Sequence, residues 1–361
     1  MEVFQLSKKN FTVTSMYGDY SVRFESFASF KKTIDSNKFF FILDKDLKNI
    51  YGNLLSDLPI ERTLIVDSRE ESKSFEQSSI FLKELLSKKI KKDNILVAIG
   101  GGVVQDITAF LSSIIFRGID WIFVPTTLLS QCDSCIGSKT SINFQSYKNV
   151  LGNFYPPKKV IIDKNFLDSL PKSEIKSGIG EMTHYYFFEG SNFLEDIYNN
   201  YDDIISRKKD ISPYIIESLR IKKRVIEVDE FDTGIRNHFQ FGHTFGHAIE
   251  NASNYQINHG QAVTLGMDIS MFISQQKGLL NKADFITYHD LIAKNFPPFN
   301  LKFFDFELFY DSLKKDKKNV SNFLVCILIE KSGQLKKAKI EINNNLKDIL
   351  KLYFAKFWGE K

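Results

Sequence analysis

Short unbroken apolar runs alternate with amphipathic stretches over the first half of the chain. KFFFILD (38–44), RTLIVDS (62–68), NILVAIGGG (94–102), DWIFVPTT (120–127) and KKVIIDK (158–164) each read as a strand buried on both faces. Between them, SFEQSSIFLKELLSKK and VVQDITAFLSSIIF carry helical spacing. Strands alternating with helices predict a parallel sheet covered by helices, a Rossmann-like α/β arrangement. Beyond about residue 171 the pattern changes. PKSEIKSGIGEMTHYYFF, ISPYIIESLRIKKRVIEVDE, HTFGHAIENAS and HGQAVTLGMDISMFISQQKG are all helical in spacing, and continuous apolar strand runs nearly vanish until NFLVCILIEK (322–331). The expected layout is an α/β domain over residues 1–170 and a mainly α-helical domain over 171–361, with the boundary near Leu170–Pro171. The chain has no internal repeat and no low-complexity tract.

The chain's 361 residues suffice for two domains with separate cores. A balance of 48 basic against 44 acidic residues predicts neither a nucleic-acid nor a membrane-surface binder. The lysine runs read as solvated faces. Cys132, Cys135 and Cys326 form no disulfide framework, and residues flanking Cys132-x-x-Cys135 argue against a redox pair. The start, MEVFQLSKKNF, lacks a basic segment followed by a long apolar core, and no apolar run reaches membrane-span length. A soluble cytoplasmic protein is expected.

Three stretches carry candidate chemistry. In AIGGGVVQD, Gly100, Gly101 and Gly102 stand between a strand and a helix, where backbone amides and a helix N-terminus favour a diphosphate. The alternative is a tight turn that merely packs, and Gln105 stands where a further glycine would complete a dinucleotide fingerprint. In FGHTFGHAIE, His243 and His247 share one helix face. With His259 in NHGQAV, and Glu181 and His184 one turn apart in EMTHYY, they offer a carboxylate and imidazoles to zinc or another transition metal. Polar residues placed on helix faces for structural reasons are the alternative. The third stretch, QCDSCIGSKTSINFQSYKNVLGNFYPP (131–157), is the longest turn-rich segment. It brings Asp133, Lys139, Lys148 and Asn149 after a strand end, where α/β proteins bind ligands.

In order and spacing, GGGVVQD, FRG, VPTTLL, DSCIGSKTSIN, KNVLGNFYPP, FGHTFGHAIE, HGQAV and KKDKKN resemble the 3-dehydroquinate synthases and the wider sugar-phosphate cyclases, from about residue 40 to residue 320. The resemblance implies NAD and a divalent metal, zinc or cobalt, in a cleft between the two domains, and a homodimer. It implies Glu181, His243 and His259 as metal ligands. It implies Asp44, Glu70, Lys73, Gly101, Gly102, Asp106, Thr126, Thr127 and Ser169 as NAD contacts. Asp133, Lys139, Lys148, Asn149, Lys222, Arg236 and His247 match active-site polar positions, Lys222 and Arg236 being those that bind a substrate carboxylate. Lys317 or Lys318 matches a phosphate-side lysine, and Arg117 a residue that reaches a neighbouring subunit's phosphate site. The implied reaction oxidises an alcohol of a phosphorylated sugar or sugar acid, eliminates phosphate, returns the hydride and closes a carbocycle by an aldol step.

The chain departs from the family pattern at several positions. His184 stands where a lysine is usual, Gln240 where asparagine is usual, Ser138 where a second glycine precedes the loop lysine, and Gln105 where the nucleotide turn usually has glycine. His184 replaces a fixed positive charge with an imidazole and shortens its reach. Gln240 keeps the amide but lengthens it by one methylene. These changes fit either a dehydroquinate synthase that tolerates them or a cyclase specialised for another sugar phosphate. Metal-dependent alcohol or glycerol dehydrogenases, which share the fold, would not need the phosphate-side lysines. A binding relative without turnover would not need the intact Glu181, His243 and His259.

Overall fold

The computed structural model describes residues 9–35, 37–145, 147–297 and 304–358. Residues 1–8, read above for a signal peptide, lie outside them. The chain divides into two compact units, Met1–Leu170 with Lys222–Phe231, and Pro171–Ile221 with Asp232–Lys361.

The first unit is built on a seven-stranded sheet. Its strands are β1 (Phe11–Val13), β2 (Tyr20–Phe24), β3 (Phe39–Asp44), β4 (Thr63–Val66), β5 (Ile95–Gly100), β6 (Trp121–Pro125) and β9 (Lys159–Ile162). They lie in the order β1-β2-β9-β6-β5-β3-β4. Only the β1–β2 pairing is antiparallel. The five expected strands are all present. Buried Phe41, Leu43, Val97, Ile99, Val124 and Ile161 pack with Phe27, Phe30 and Phe166 into one core. Continuous apolar runs result because both faces of a parallel sheet are covered. Helices α1 (Phe75–Ser87) and α2 (Gly102–Ile114) lead into and out of β5. β4 and β5 flank β3 on opposite sides, so the winding direction reverses between β3 and β5. That reversal opens a crevice beyond the strands' carboxyl ends, where such sheets bind ligands.

β1 and β2 are too short and too mixed in polarity to stand out in the sequence. The turn-rich segment 131–157 is more regular than its composition suggests. Ser130–Ser134 forms a π-helical turn, and β7 (Ile142–Phe144) pairs with β8 (Tyr147–Leu151) as a hairpin. β8 is exposed or half-buried along its whole length, which explains its polar sequence.

The second unit is helical, with α3 (Lys172–Glu189), the start of α4 (Ser212–Ile226), α5 (His243–Ala252), α6 (His259–Gln276), α7 (Lys282–Ile292), α8 (Phe306–Lys314) and α9 (Asn344–Trp358). α3 begins after Pro171 and ends at Gly190, which takes the left-handed conformation of a helix stop (φ 70°). β10 (Phe323–Lys331) is the expected late strand; its antiparallel partner β11 (Gln334–Glu341) hides its pattern under four lysine and glutamate side chains on exposed positions.

α6 is buried continuously from Gly260 to Ser274 and forms the axis of this unit. Two glycine contacts set how closely its neighbours approach. A Cβ on Gly180 of α3 would collide with the Gly260 carbonyl oxygen, and one on Gly260 with that of Ser177. On the other side, a Cβ on Gly266 would strike the Gly242 carbonyl at the start of α5. Backbone therefore packs on backbone, at a separation no other residue permits. Replacing Gly260 with alanine is expected to cost at least ~1–3 kcal/mol by overpacking. The measurement is the urea midpoint, against Gly52→Ala, whose added carbon meets nothing within 4 Å and should leave the midpoint nearly unchanged.

Candidate functional site

In the second unit, the three glycine-spaced helices bring a carboxylate to a group of imidazoles. α3 carries Glu181 and His184, α5 carries His243 and His247, and α6 opens on His259. The rings of His243, His247 and His259 form a near-equilateral triangle, with centroids 5.5–5.6 Å apart. Glu181 is 2% exposed. Its Oε1 lies 3.0 Å from His259 Nε2 and 3.6 Å from His243 Nε2. The 3.0 Å approach is not aligned for a hydrogen bond, so Oε1 is a buried oxygen with no hydrogen-bond partner. A buried carboxylate oxygen without a hydrogen-bond partner, facing two imidazole nitrogens, is the arrangement a cation completes.

The electrostatics agree. Burial would push the Glu181 carboxyl up, but His243, His184 and His259 together hold it well below the usual range. Burial pushes His243 well down. Burial would also lower His259, yet the Glu181 and Glu250 carboxylates on its two nitrogens hold it well above the usual imidazole range. The cluster thus retains a negative charge and attracts a positive one. A metal ion would displace the His259 proton. Ligand atoms of Glu181, His184 and His243 all lie within 4.8 Å of one another, as do those of His247, Glu250 and His259.

Glu250 is a residue the sequence reading passed over. Its Oε2 accepts from His259 Nδ1 at 3.1 Å, which fixes the ring and leaves Nε2 toward Glu181. The available signal was its place in FGHTFGHAIE, seven residues after His243 and on the same helix face.

Lys318 and Lys317 are separated by the structure. Lys318 Nζ donates to Gln240 Oε1 at 3.2 Å and Thr244 Oγ1 at 3.4 Å, and pairs with Asp316 at 3.5 Å. Lys317 is exposed. His247 is exposed, yet desolvation by the protein around its ring, with the positive His259 and Lys318, pushes its pKa down to about 4. His247 is therefore neutral at pH 7. Arg236 is buried in the short turn Ile235–Gln240.

In the first unit, the residues matched to a nucleotide gather along the carboxyl edge of the sheet. Asp44 ends β3, Gly101 and Gly102 follow β5, Thr126 and Thr127 follow β6, Glu70 and Lys73 follow β4, and Ser169 follows β9. Asp44 caps the next turn through Asp46 N (3.0 Å), and burial raises its pKa. Gly101 is the N-cap of α2 and provides no side-chain cap, so the helix's first amides are available to an anion. A Cβ on Gly102 would project into open space. Ser169 Oγ accepts from the Tyr51 hydroxyl at 2.8 Å.

A polar network ties this edge to the hairpin. Lys73 Nζ pairs with Asp106 at 2.8 Å, and Asp106 accepts from Ser141 N at 3.0 Å. Ser141 Oγ donates to Asn149 Oδ1 at 2.9 Å. Asn143 joins Glu70 (2.8 Å) to Asn149 N (2.9 Å). Burial raises the Asp106 pKa, against the opposing pull of Lys73. Asp133 is held by Lys222, whose Nζ donates to its carboxylate and to its carbonyl, both at 2.8 Å. Lys139 and Lys148 are exposed on the loop and on β8, and Arg117 is exposed after α2 with φ 64°. Two departures have structural partners. Gln105 is buried and exchanges both ends of its amide with Ser134, beside Asp133. Ser138 keeps the left-handed conformation a glycine would take (φ 65°) and donates to Glu230 at 2.8 Å.

An open-cornered parallel sheet with a glycine-opened helix, coupled in one chain to a helical unit with a carboxylate–imidazole cluster, defines a fold shared by nucleotide- and metal-using enzymes. The chain belongs to the 3-dehydroquinate synthase family: the family's N-terminal profile matches residues 63–177 and its C-terminal profile residues 178–319. A 3-dehydroquinate synthase of Clostridium tetani is 35% identical over 333 residues, 91% of this chain and 88% of that relative. Among solved structures, 2-deoxy-scyllo-inosose synthase complexed with carbaglucose-6-phosphate, NAD+ and Co2+ matches with TM-score 0.81 at 22% identity, covering 94% of this chain and 99% of that one. The 2-epi-5-epi-valiolone synthase of Streptomyces hygroscopicus subsp. jinggangensis, with NAD+ and Zn2+ bound, matches with TM-score 0.82 at 20% identity, covering 96% and 99%.

Glu250 gives this site its test. Glu250→Gln removes the charge on His259 Nδ1 and is expected to weaken Zn2+ or Co2+ binding by ~10–100-fold without unfolding the protein. Competition with a chromophoric chelator measures it; unchanged affinity would remove Glu250 from the site.

Proposed function

We propose that the chain is an NAD- and divalent-metal-dependent sugar-phosphate cyclase of the 3-dehydroquinate synthase type, acting on the acidic seven-carbon substrate of that reaction, 3-deoxy-D-arabino-heptulosonate 7-phosphate. The observation that carries the reading is the unpartnered, buried Oε1 of Glu181 facing two imidazole nitrogens. The acid-substrate assignment is supported by Lys222 and Arg236 and by the likeness to a curated 3-dehydroquinate synthase at 35% identity, against 20–22% for the cyclases of other names.

In this reading Glu181, His243 and His259 hold the metal, and the carboxyl edge of the sheet, with Gly101, Gly102, Asp44 and Asp106, holds NAD. When bound, NAD supplies the hydride acceptor and donor, and the divalent ion supplies Lewis acidity at a substrate oxygen. The chain's own residues orient, neutralise and move protons. Lys222, fixed by Asp133, and the buried Arg236 pair with the substrate carboxylate. Lys139, Lys148 and Lys318 neutralise the phosphate as it leaves, and Asn149 and Gln240 offer amides to hydroxyls. His247, a neutral imidazole, takes a proton from a substrate hydroxyl rather than giving one. Arg117, exposed, reaches the phosphate site of a second copy in a homodimer. Phosphate is released and NAD is unchanged over the cycle, so cofactor retention suits the reaction better than exchange.

A second reading is a cyclase for a neutral sugar phosphate. It is favoured by the two changed side chains, since His184 is drawn into the Glu181 cluster and Gln240 is held by Lys318. Phosphate release decides between them. With NAD and Co2+ or Zn2+, release from 3-deoxy-D-arabino-heptulosonate 7-phosphate without net NADH is expected. Release only from sedoheptulose 7-phosphate or glucose 6-phosphate would establish the second reading, and none from any would sink both. For the cofactor edge, Gly102→Val is expected to fold normally, because its Cβ enters open space, and to lose NAD binding by at least tenfold in calorimetry. Normal binding would place the nucleotide elsewhere.

A further inference from the structure

The proposed metal ligand Glu181 has a partner on its other oxygen. His184 stands one turn along α3 and is 1% exposed. Its Nε2 lies 3.1 Å from Glu181 Oε2, whereas the approaches to His243 and His259 are made by Oε1. A carboxylate only accepts, so Nε2 carries the hydrogen. The bond is charge-assisted and sealed from water, where such bonds orient most strongly. The ring is itself held, with its centroid 3.9 Å from that of Tyr185 and 5.9 Å from that of Phe239. Its Nδ1 is buried with no hydrogen-bond partner. A polar ring kept in a dry site at the cost of an unpaired nitrogen needs a compensating role. The bond to Glu181 is that role.

We propose that His184 is a positioning residue for the metal carboxylate. It ties Glu181 Oε2 back along α3, so the carboxylate meets the ion through Oε1 alone. A carboxylate free to turn could offer both oxygens and fill a coordination position. Held by one oxygen, it leaves that position to the substrate, as catalytic metal sites require. His184 is not assigned as a ligand, because the nitrogen nearest Glu181 is already engaged with Oε2. The inference rests on the reading that Glu181, His243 and His259 hold the metal.

The test uses the full chain, stripped of metal by chelation and titrated with Co2+ alone. H184F keeps the ring's bulk and removes the donor. H184N places an amide too short to reach Oε2, and H184Q restores a donor at about the reach of Nε2. Circular dichroism and thermal melting first establish which variants are folded. Competition with a chromophoric chelator then gives affinity, and the visible cobalt bands report coordination. H184F and H184N are expected to weaken Co2+ binding by ~10–100-fold and to change the cobalt bands, with H184Q recovering most of both. Wild-type affinity and spectrum in H184F and H184N would overturn the inference alone. Equal loss in all three variants with altered band intensity would make His184 a ligand and overturn the positioning role. Absence of Co2+ binding in the wild-type protein would overturn the underlying reading and this inference with it.

Discussion

The helical unit depends on backbone meeting backbone. Where α3 crosses α6, and where α5 meets α6, a carbonyl oxygen occupies the space a side chain would fill. Each contact sits beside a functional residue: Gly180 precedes Glu181, Gly242 precedes His243, and Gly260 follows His259. The separation of the helix axes and the separation of the polar atoms are therefore one quantity. With any larger residue at these positions the helices would stand apart, and Glu181 Oε1 would no longer approach the imidazoles to 3.0 and 3.6 Å. The same closeness excludes water from the carboxylate, which keeps its negative charge only because imidazoles surround it.

The two units meet their chemical tasks by different means. In the helical unit, side chains converge from three helices and their charges are strongly coupled. In the α/β unit, what is offered is largely backbone: uncapped amides at the start of α2, a glycine facing open space, and strand ends opened by the change in winding direction. Side chains there mostly hold one another. Lys73, Asp106, Ser141, Asn149, Asn143 and Glu70 form one network between the nucleotide-matched edge and the hairpin. That network accounts for the regular structure of so polar a segment over residues 131–145 and 147–157.

What the sequence made legible follows from periodicity. Strands buried on both faces are continuous apolar runs, and the five parallel strands β3, β4, β5, β6 and β9 were readable because they are apolar along their length. β8 and β11 were not, because their exposed positions carry the polar residues of a loop. Glu181, His243 and His259 were grouped by the family resemblance, but the contribution of Glu250 needed the third dimension, since it acts on a histidine of another helix. Lys317 and Lys318 likewise differ only in the structure, where the turn exposes one and directs the other to Gln240 and Thr244. His184 was legible as an anomaly. Its bond to Glu181 was not, because spacing along a helix places two residues on a face without saying which oxygen is used.

The membership of Lys222–Phe231 in the α/β unit has a consequence for modularity. Neither unit is a continuous stretch of chain: the polypeptide leaves the first at Leu170, lends it ten residues midway through the second, and then departs for good. Those residues include Lys222, which holds Asp133, and Glu230, which holds Ser138. A gene cut at the obvious boundary would deliver an α/β piece lacking the groups that hold Asp133 and Ser138, and a helical piece carrying them with nothing to hold. The two halves are thus covenanted by thread as well as by function, and recombination could not trade one for a foreign counterpart without resewing the chain at three places.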